Sequence, residues 1–178
     1  MTKRTKSLSI CFFSLVLIAL CLCGCSKAIP HSEYIRLHIR ADSNDECDQE
    51  VKLKVRDAVV SYLTVKSKTV NDREEMKELL RSDLGNIESI ANGVLAENGF
   101  NYVSTAKLCV EEFPEKSYGE LTLEAGDYEA LIIELGEGAG NNWWCVAYPP
   151  LCFIAAEDVE GDGVEYRSII ADFFKNLK

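Results

Sequence analysis

Histidine is almost missing from this chain of 178 residues: it has two, His31 and His38, and no pair of cysteines stands at CxxC spacing. A tetrahedral zinc site needs several such ligands at short spacings, so no metal is expected. Basic residues are also scarce, with 19 Lys and Arg against 29 Asp and Glu and a net charge of −10. A surface of that sign repels nucleic acid, and nucleic-acid binding is excluded as a function class. Gly136, Gly138 and Gly140 form a G-x-G-x-G run that lacks the lysine and hydroxyl residue of a phosphate loop, and no helical pattern follows it. A nucleotide or other cofactor is therefore not expected. Internal repeats and low-complexity segments are absent too. The 47% hydrophobic fraction fills one core of ordinary size, which implies a single globular domain.

The first residues stand apart from that domain. MTKRTK is basic, SLSICFFSLVLIALCL is apolar throughout, and small residues follow in CGCSKA, the three-part pattern of an export signal over residues 1–25. Leu8 to Leu22 would span roughly 22 Å as a helix, short of a hydrocarbon core of about 30 Å, which favours cleavage over permanent spanning. Two cleavage sites compete. Leu22-Cys23-Gly24-Cys25 resembles a lipobox, with Cys25 as the lipid anchor, whereas Ser26-Lys27-Ala28 suits ordinary signal peptidase, and a retained membrane anchor is a third reading. Loss of Lys3, Arg4 and Lys6 with the leader takes the net charge from −10 to −13. Residues 26–33 read as a polar tether and 34–178 as the folded domain. Within that domain lie Cys47, Cys109, Cys145 and Cys152, which outside the cytoplasm read first as disulfides.

Along the domain, Tyr34-Ile-Arg-Leu-His-Ile-Arg40 alternates as a half-buried strand, placing Arg36, His38 and Arg40 on one cationic face that either meets a partner or pairs with the protein's own carboxylates. Ser43 and Glu46 have capping-box spacing at the start of a helix running to about Lys66. A second start at Asn71 opens a long helical stripe to Asn98-Gly99, with Gly85 as a point of division. YVSTAKLCVEEF, ELTL and YEALIIEL are strand-like, and Glu124 to Asp127 read as a tight turn pairing the last two. A final amphipathic helix is expected through Tyr166, Ile169, Ile170, Phe173 and Phe174. The order implies an α+β domain: an antiparallel sheet with helices packed on one face and a C-terminal helix.

The segment GEGAGNNWWCVAYPPLCF, residues 136–153, gathers aromatics between glycines and prolines. Trp143, Trp144 and Tyr148 carry large apolar area at low entropy, and a Cys145–Cys152 disulfide would hold them in a stiff docking loop. If Cys145 were instead free, it and His38 would be the nucleophile and base of a cysteine hydrolase. Residues 113–153 together with YIRLHIRADSNDECDQEVKLKVRDAV, residues 34–59, resemble the stage II sporulation protein R family. The resemblance implies a non-enzymatic signalling protein of an endospore-forming bacterium, exported to the forespore intermembrane space. There it would activate a membrane-embedded aspartic protease of the mother cell, which processes a sigma-factor precursor. The family supplies no catalytic residues to carry over. A structural envelope lipoprotein whose aromatics merely pack is the remaining alternative.

Overall fold

The computed structural model describes residues 31–118, 121–150 and 152. The export signal with Cys25, most of the tether and the expected C-terminal helix lie outside the described residues. The alternating segment forms β1 (Ile35–Arg40), and the helical stripes form α1 (Glu46–Ser67), α2 (Arg73–Ser82) and α3 (Leu84–Glu97). Next come β2 (Ser104–Phe113), β3 (Lys116–Tyr118), β4 (Leu121–Leu123), β5 (Gly126–Leu135) and β6 (Asn142–Tyr148).

The helix ends follow local chemistry, with small shifts from expectation. α1 begins at Glu46 behind Asp45, because Ser43 is engaged elsewhere: its hydroxyl donates to Asp48 Oδ2 at 2.5 Å. α2 is capped by Asp72, whose carboxylate accepts from the Glu75 amide at 2.9 Å, while Glu75 reaches back to the Asn71 amide at 2.8 Å. The long stripe divides at Asp83, just before Gly85. α3 stops as expected, with Gly99 at φ 81° and the Phe100 amide donating to the Leu95 carbonyl.

The four-stranded sheet has the order β2-β5-β1-β6, and it is mixed, not antiparallel. β5 runs parallel to β1, while β2 and β6 are antiparallel to their neighbours. The helices return the chain two positions away as β2; its hairpin partner β5 then lies beside β1 in the same direction. The expected pairing of ELTL with YEALIIEL does not occur. β4 pairs with β3 instead, and this small hairpin is inserted at the tip of the long β2–β5 hairpin.

Both faces of the sheet are covered. On one side Ile35, Leu37, Ile39, Leu131, Ile133 and Leu135 pack under Val51, Val55, Leu63, Leu80, Ile87 and Leu95 of the helices. On the other, Tyr34, Tyr128, Ala130, Ile132, Phe113 and Val146 form a smaller core with Leu121, Leu123 and Tyr118 of the β3–β4 hairpin. Each fully buried aliphatic side chain contributes roughly 1.5–3 kcal/mol, so the helix side dominates stability.

Candidate functional site

The tryptophan segment is not a loop. Residues 142–148 form the edge strand β6, with Trp143 opposite Ile39, Trp144 opposite His38 and Cys145 opposite Leu37, and the register shifts by one residue near its end, between Val146 and Tyr148. Asn142 to Tyr148 contain no glycine or proline, so the breakers lie outside the strand and an aromatic run inside it pairs normally. Successive residues of a strand face opposite ways, which separates the two indoles. Trp143 packs on the helix-side core, with the Arg56 guanidinium 5.6 Å from its ring centre. Trp144 joins the smaller core, 5.5 Å from the His38 ring, with the Lys116 ammonium 4.2 Å from its centroid. Both tryptophans keep part of their surface exposed, as does Tyr148. Cys145 and Cys152 are joined as a disulfide with Cα atoms 6.0 Å apart, which ties the end of β6 to the residues beyond it.

The cationic stripe of β1 is not an exposed face. Arg36 is completely buried, its guanidinium 4.4 Å from the Phe113 ring centre, 4.9 Å from that of Tyr128 and 5.6 Å from that of Tyr118. One nitrogen donates to the Tyr118 hydroxyl at 2.9 Å, and Nε and Nη1 have no hydrogen-bond partner among the described residues. His38 is also buried, and burial pushes its imidazole below the ordinary value despite opposing pulls from Asn142 and the nearby Glu111 carboxylate. Its Nδ1 is 3.5 Å from Glu111, without hydrogen-bond geometry. Arg40 alone of the three cations reaches the surface, where it pairs with Glu111 and, at 2.5 Å, with Glu134. Burial alone would raise the Glu134 carboxyl, yet Lys107 and Arg40 together hold it below the usual range. The three cations share one face as the alternation implies, but β1 is buried on both faces, not half-buried, because the β3–β4 hairpin covers the cationic side and turns partner contacts into internal ones.

The Cys145–His38 dyad is not assembled. Cys145 points with Leu37 toward the helices and is consumed in a disulfide, whereas His38 points to the opposite face. Sheet alternation therefore puts the backbone between nucleophile and base.

One constellation had no counterpart in the sequence reading. Residues 41–44 after β1 and 136–141 after β5 interlock at the ends of the two parallel strands. The amides of Ala139 and Gly140 donate to the carbonyls of Asp42 and Ala41 at 3.1 and 2.9 Å. Asp42 Oδ1 accepts from the Glu137 amide at 2.6 Å, and Asn44 Oδ1 from the Asn141 amide at 2.7 Å. Asp48 accepts from both Ser43 and the Tyr102 hydroxyl, the latter at 2.7 Å, and burial with this carboxylate raises the Tyr102 phenol. The G-x-G-x-G run thus serves to bring two backbones together. The signal that could have found it was the combination of three glycines with the side-chain-capping triplet Asp42-Ser43-Asn44.

A family model described as stage II sporulation protein R matches residues 31–158. Stage II sporulation protein R of Bacillus subtilis (strain 168) is 37% identical over 161 residues, covering 84% of this chain and 71% of that protein. The chain belongs to the stage II sporulation protein R family. No solved structure matches it. For this family member, the matched span includes every described strand and helix, the interlocked loops and the cystine. No helix among the described residues is long and apolar enough to cross a membrane, and no group of three or more His, Cys, Asp or Glu among them is placed to hold a metal ion.

Proposed function

We propose that this sporulation protein is an exported signal: a protein ligand, without chemistry of its own, that activates a membrane-embedded aspartic protease of the mother cell and so starts processing of a sigma-factor precursor. It would act in the forespore intermembrane space, held to the forespore membrane if Cys25 is lipidated. One observation carries the docking surface. β6 presents two partly exposed indoles on an edge strand, each ring flanked by a cation and the strand tied by a disulfide. Preordered aromatics of this kind bind without a large loss of side-chain entropy. A ligand shifts its receptor only through unequal affinity for the receptor's two states, and a stiff surface suits that discrimination. Arg40 is drawn toward Glu134 of β5 and Glu111 of β2, away from β6, so it supports that edge from behind, as Arg36 and His38 do from within.

The test is precursor processing in sporulating cells carrying Trp143→Ala or Trp144→Ala, with thermal melting of the purified variants alongside. Processing should fall by roughly tenfold or more in at least one variant that still melts cooperatively near the parent temperature. If every loss of processing accompanies a loss of folding, the aromatics only pack, and the structural lipoprotein reading replaces this one.

A further inference from the structure

The other edge of the sheet, β2, is guarded along only part of its length. Pairing with β5 turns its odd-numbered amides inward and its even-numbered ones outward, as the bond from the Gly136 amide to the Val103 carbonyl and the pairing register show. α3 covers the first two outward donors: Asn92 Oδ1 accepts from the Ser104 amide at 2.6 Å and Glu88 Oε1 from the Ala106 amide at 2.7 Å. Among the described residues, no side chain caps the outward groups of Leu108, Val110 and Glu112. Val110 stands on this stretch with 63% of its surface exposed. An open edge carrying an exposed β-branched residue is a template for another strand.

The residues along the edge indicate which strand fits. We propose that β2 pairs antiparallel with β2 of a second copy of this chain, about a twofold axis through Cys109. That register matches outward groups to outward groups, so Leu108 and Val110 of each copy exchange N–H···O bonds with Val110 and Leu108 of the other. On the helix side this sets Leu108 against Val110. On the opposite side Lys107 of each copy faces Glu111 of the other, giving two ion pairs by symmetry. The Lys107 side chain is 51% exposed and bonded to Glu134 of its own chain at 3.1 Å, and Glu111 is bonded to Arg40, so each intermolecular pair forms by sharing or exchanging these surface partners. Sliding the strands by two residues puts Lys107 opposite Cys109 or Phe113 and loses both pairs, so charge specifies the register. The two β6 strands remain at the outer edges of the joined sheet, and this surface is independent of the docking surface proposed above.

The register makes Cys109 its own reporter. In a non-hydrogen-bonded antiparallel pair the Cα atoms are about 4.5 Å apart, within disulfide reach. The full-length chain with Cys11, Cys21, Cys23, Cys25 and Cys47 replaced by serine is treated with copper–phenanthroline, which takes two electrons as two thiols lose their protons and one S–S bond forms. The expected result is a covalent dimer linked through Cys109 in both copies, and a reversible dimer by sedimentation without oxidant. Val110→Lys should weaken the reversible dimer by roughly tenfold or more with the chain still folded by circular dichroism, and Lys107→Glu should weaken it as well, with some loss of melting temperature because it also breaks the Lys107–Glu134 pair within the chain. A chain that sediments as a monomer at every concentration overturns the proposal, whether its edge is covered by residues 154–178 or reserved for another partner. Cross-linking that proceeds equally in Val110→Lys, as random collision would, overturns it as well.

Discussion

Arg36 shows how far a residue's role can depart from its sequence pattern. Its guanidinium is enclosed by three aromatic rings and one phenolic hydroxyl, and no carboxylate among the described residues is bonded to it. A buried charge is a weak source of stability, and what the described residues give it is packing and cation–π attraction. Arg36→Met, which keeps most of the volume, should therefore change unfolding free energy by no more than about 1 kcal/mol, whereas Arg36→Ala should lower it by about 2–4 kcal/mol. Urea denaturation of the two variants distinguishes these outcomes. His38 lies on the same face with its imidazole held below the ordinary 6.5 by burial. The unfolded chain then binds more protons than the folded one between those two values, so stability present above pH about 6.5 is lost as pH falls through the folded-state value. Denaturation midpoints should decline as pH falls below about 6.5, and His38→Leu should flatten that decline. Period-2 alternation revealed which residues share a face; it carried no information on whether that face was covered. The cover comes from Tyr118, Leu121 and Leu123, a hairpin too short to register as a strand pair in sequence.

At the scale of elements, the three described helices were legible from amphipathic spacing, and their ends moved by only a residue or two, although Ser43 does not cap the first. The strand directions were not. Parallel pairing of β1 with β5 depends on where the helical crossing delivers β2, a tertiary choice that local pattern does not encode. The aromatic strand was misread for a different reason: flanking glycines and prolines suggested irregular backbone through the whole segment, whereas they act only at its two ends. The glycines have a sharper role. A Cβ on Gly140 would stand 2.1 Å from the Ser43 carbonyl oxygen, and one on Gly136, at φ 57°, 2.0 Å from Asp42 Oδ1. Gly140→Ala must therefore force the two loops apart, with an expected loss of at least about 2 kcal/mol and a clear fall in melting temperature. Gly93 is the matched opposite. It lies inside α3 with open space around the missing Cβ, so Gly93→Ala should raise stability by about 0.5–1 kcal/mol. Melting curves of the pair separate close backbone approach from mere glycine content.

For the whole molecule, the disulfide decides between two readings of the same edge. Closing the short loop from Cys145 to Cys152 removes unfolded-state entropy worth about 2–3 kcal/mol, so the Cys145→Ser/Cys152→Ser variant should melt several degrees lower. The strand itself is held by its pairing with β1 from Asn142 to Val146, and Trp143 and Trp144 remain seated on their separate cores without the link. At a temperature where the variant is still folded, a docking strand should retain most of its activity, reduced only as far as the end of β6 loosens. A protein that worked through the Cys145 thiol would lose everything, and it would lose as much in Trp-intact chains as in Trp-substituted ones. Precursor processing in cells containing normal amounts of the double-serine variant should therefore persist, with the same variant becoming inactive once Trp143→Ala or Trp144→Ala is added. Abolition of processing by the serine pair alone, in protein that melts cooperatively above the assay temperature, would refute the assignment of the signal to the aromatic edge.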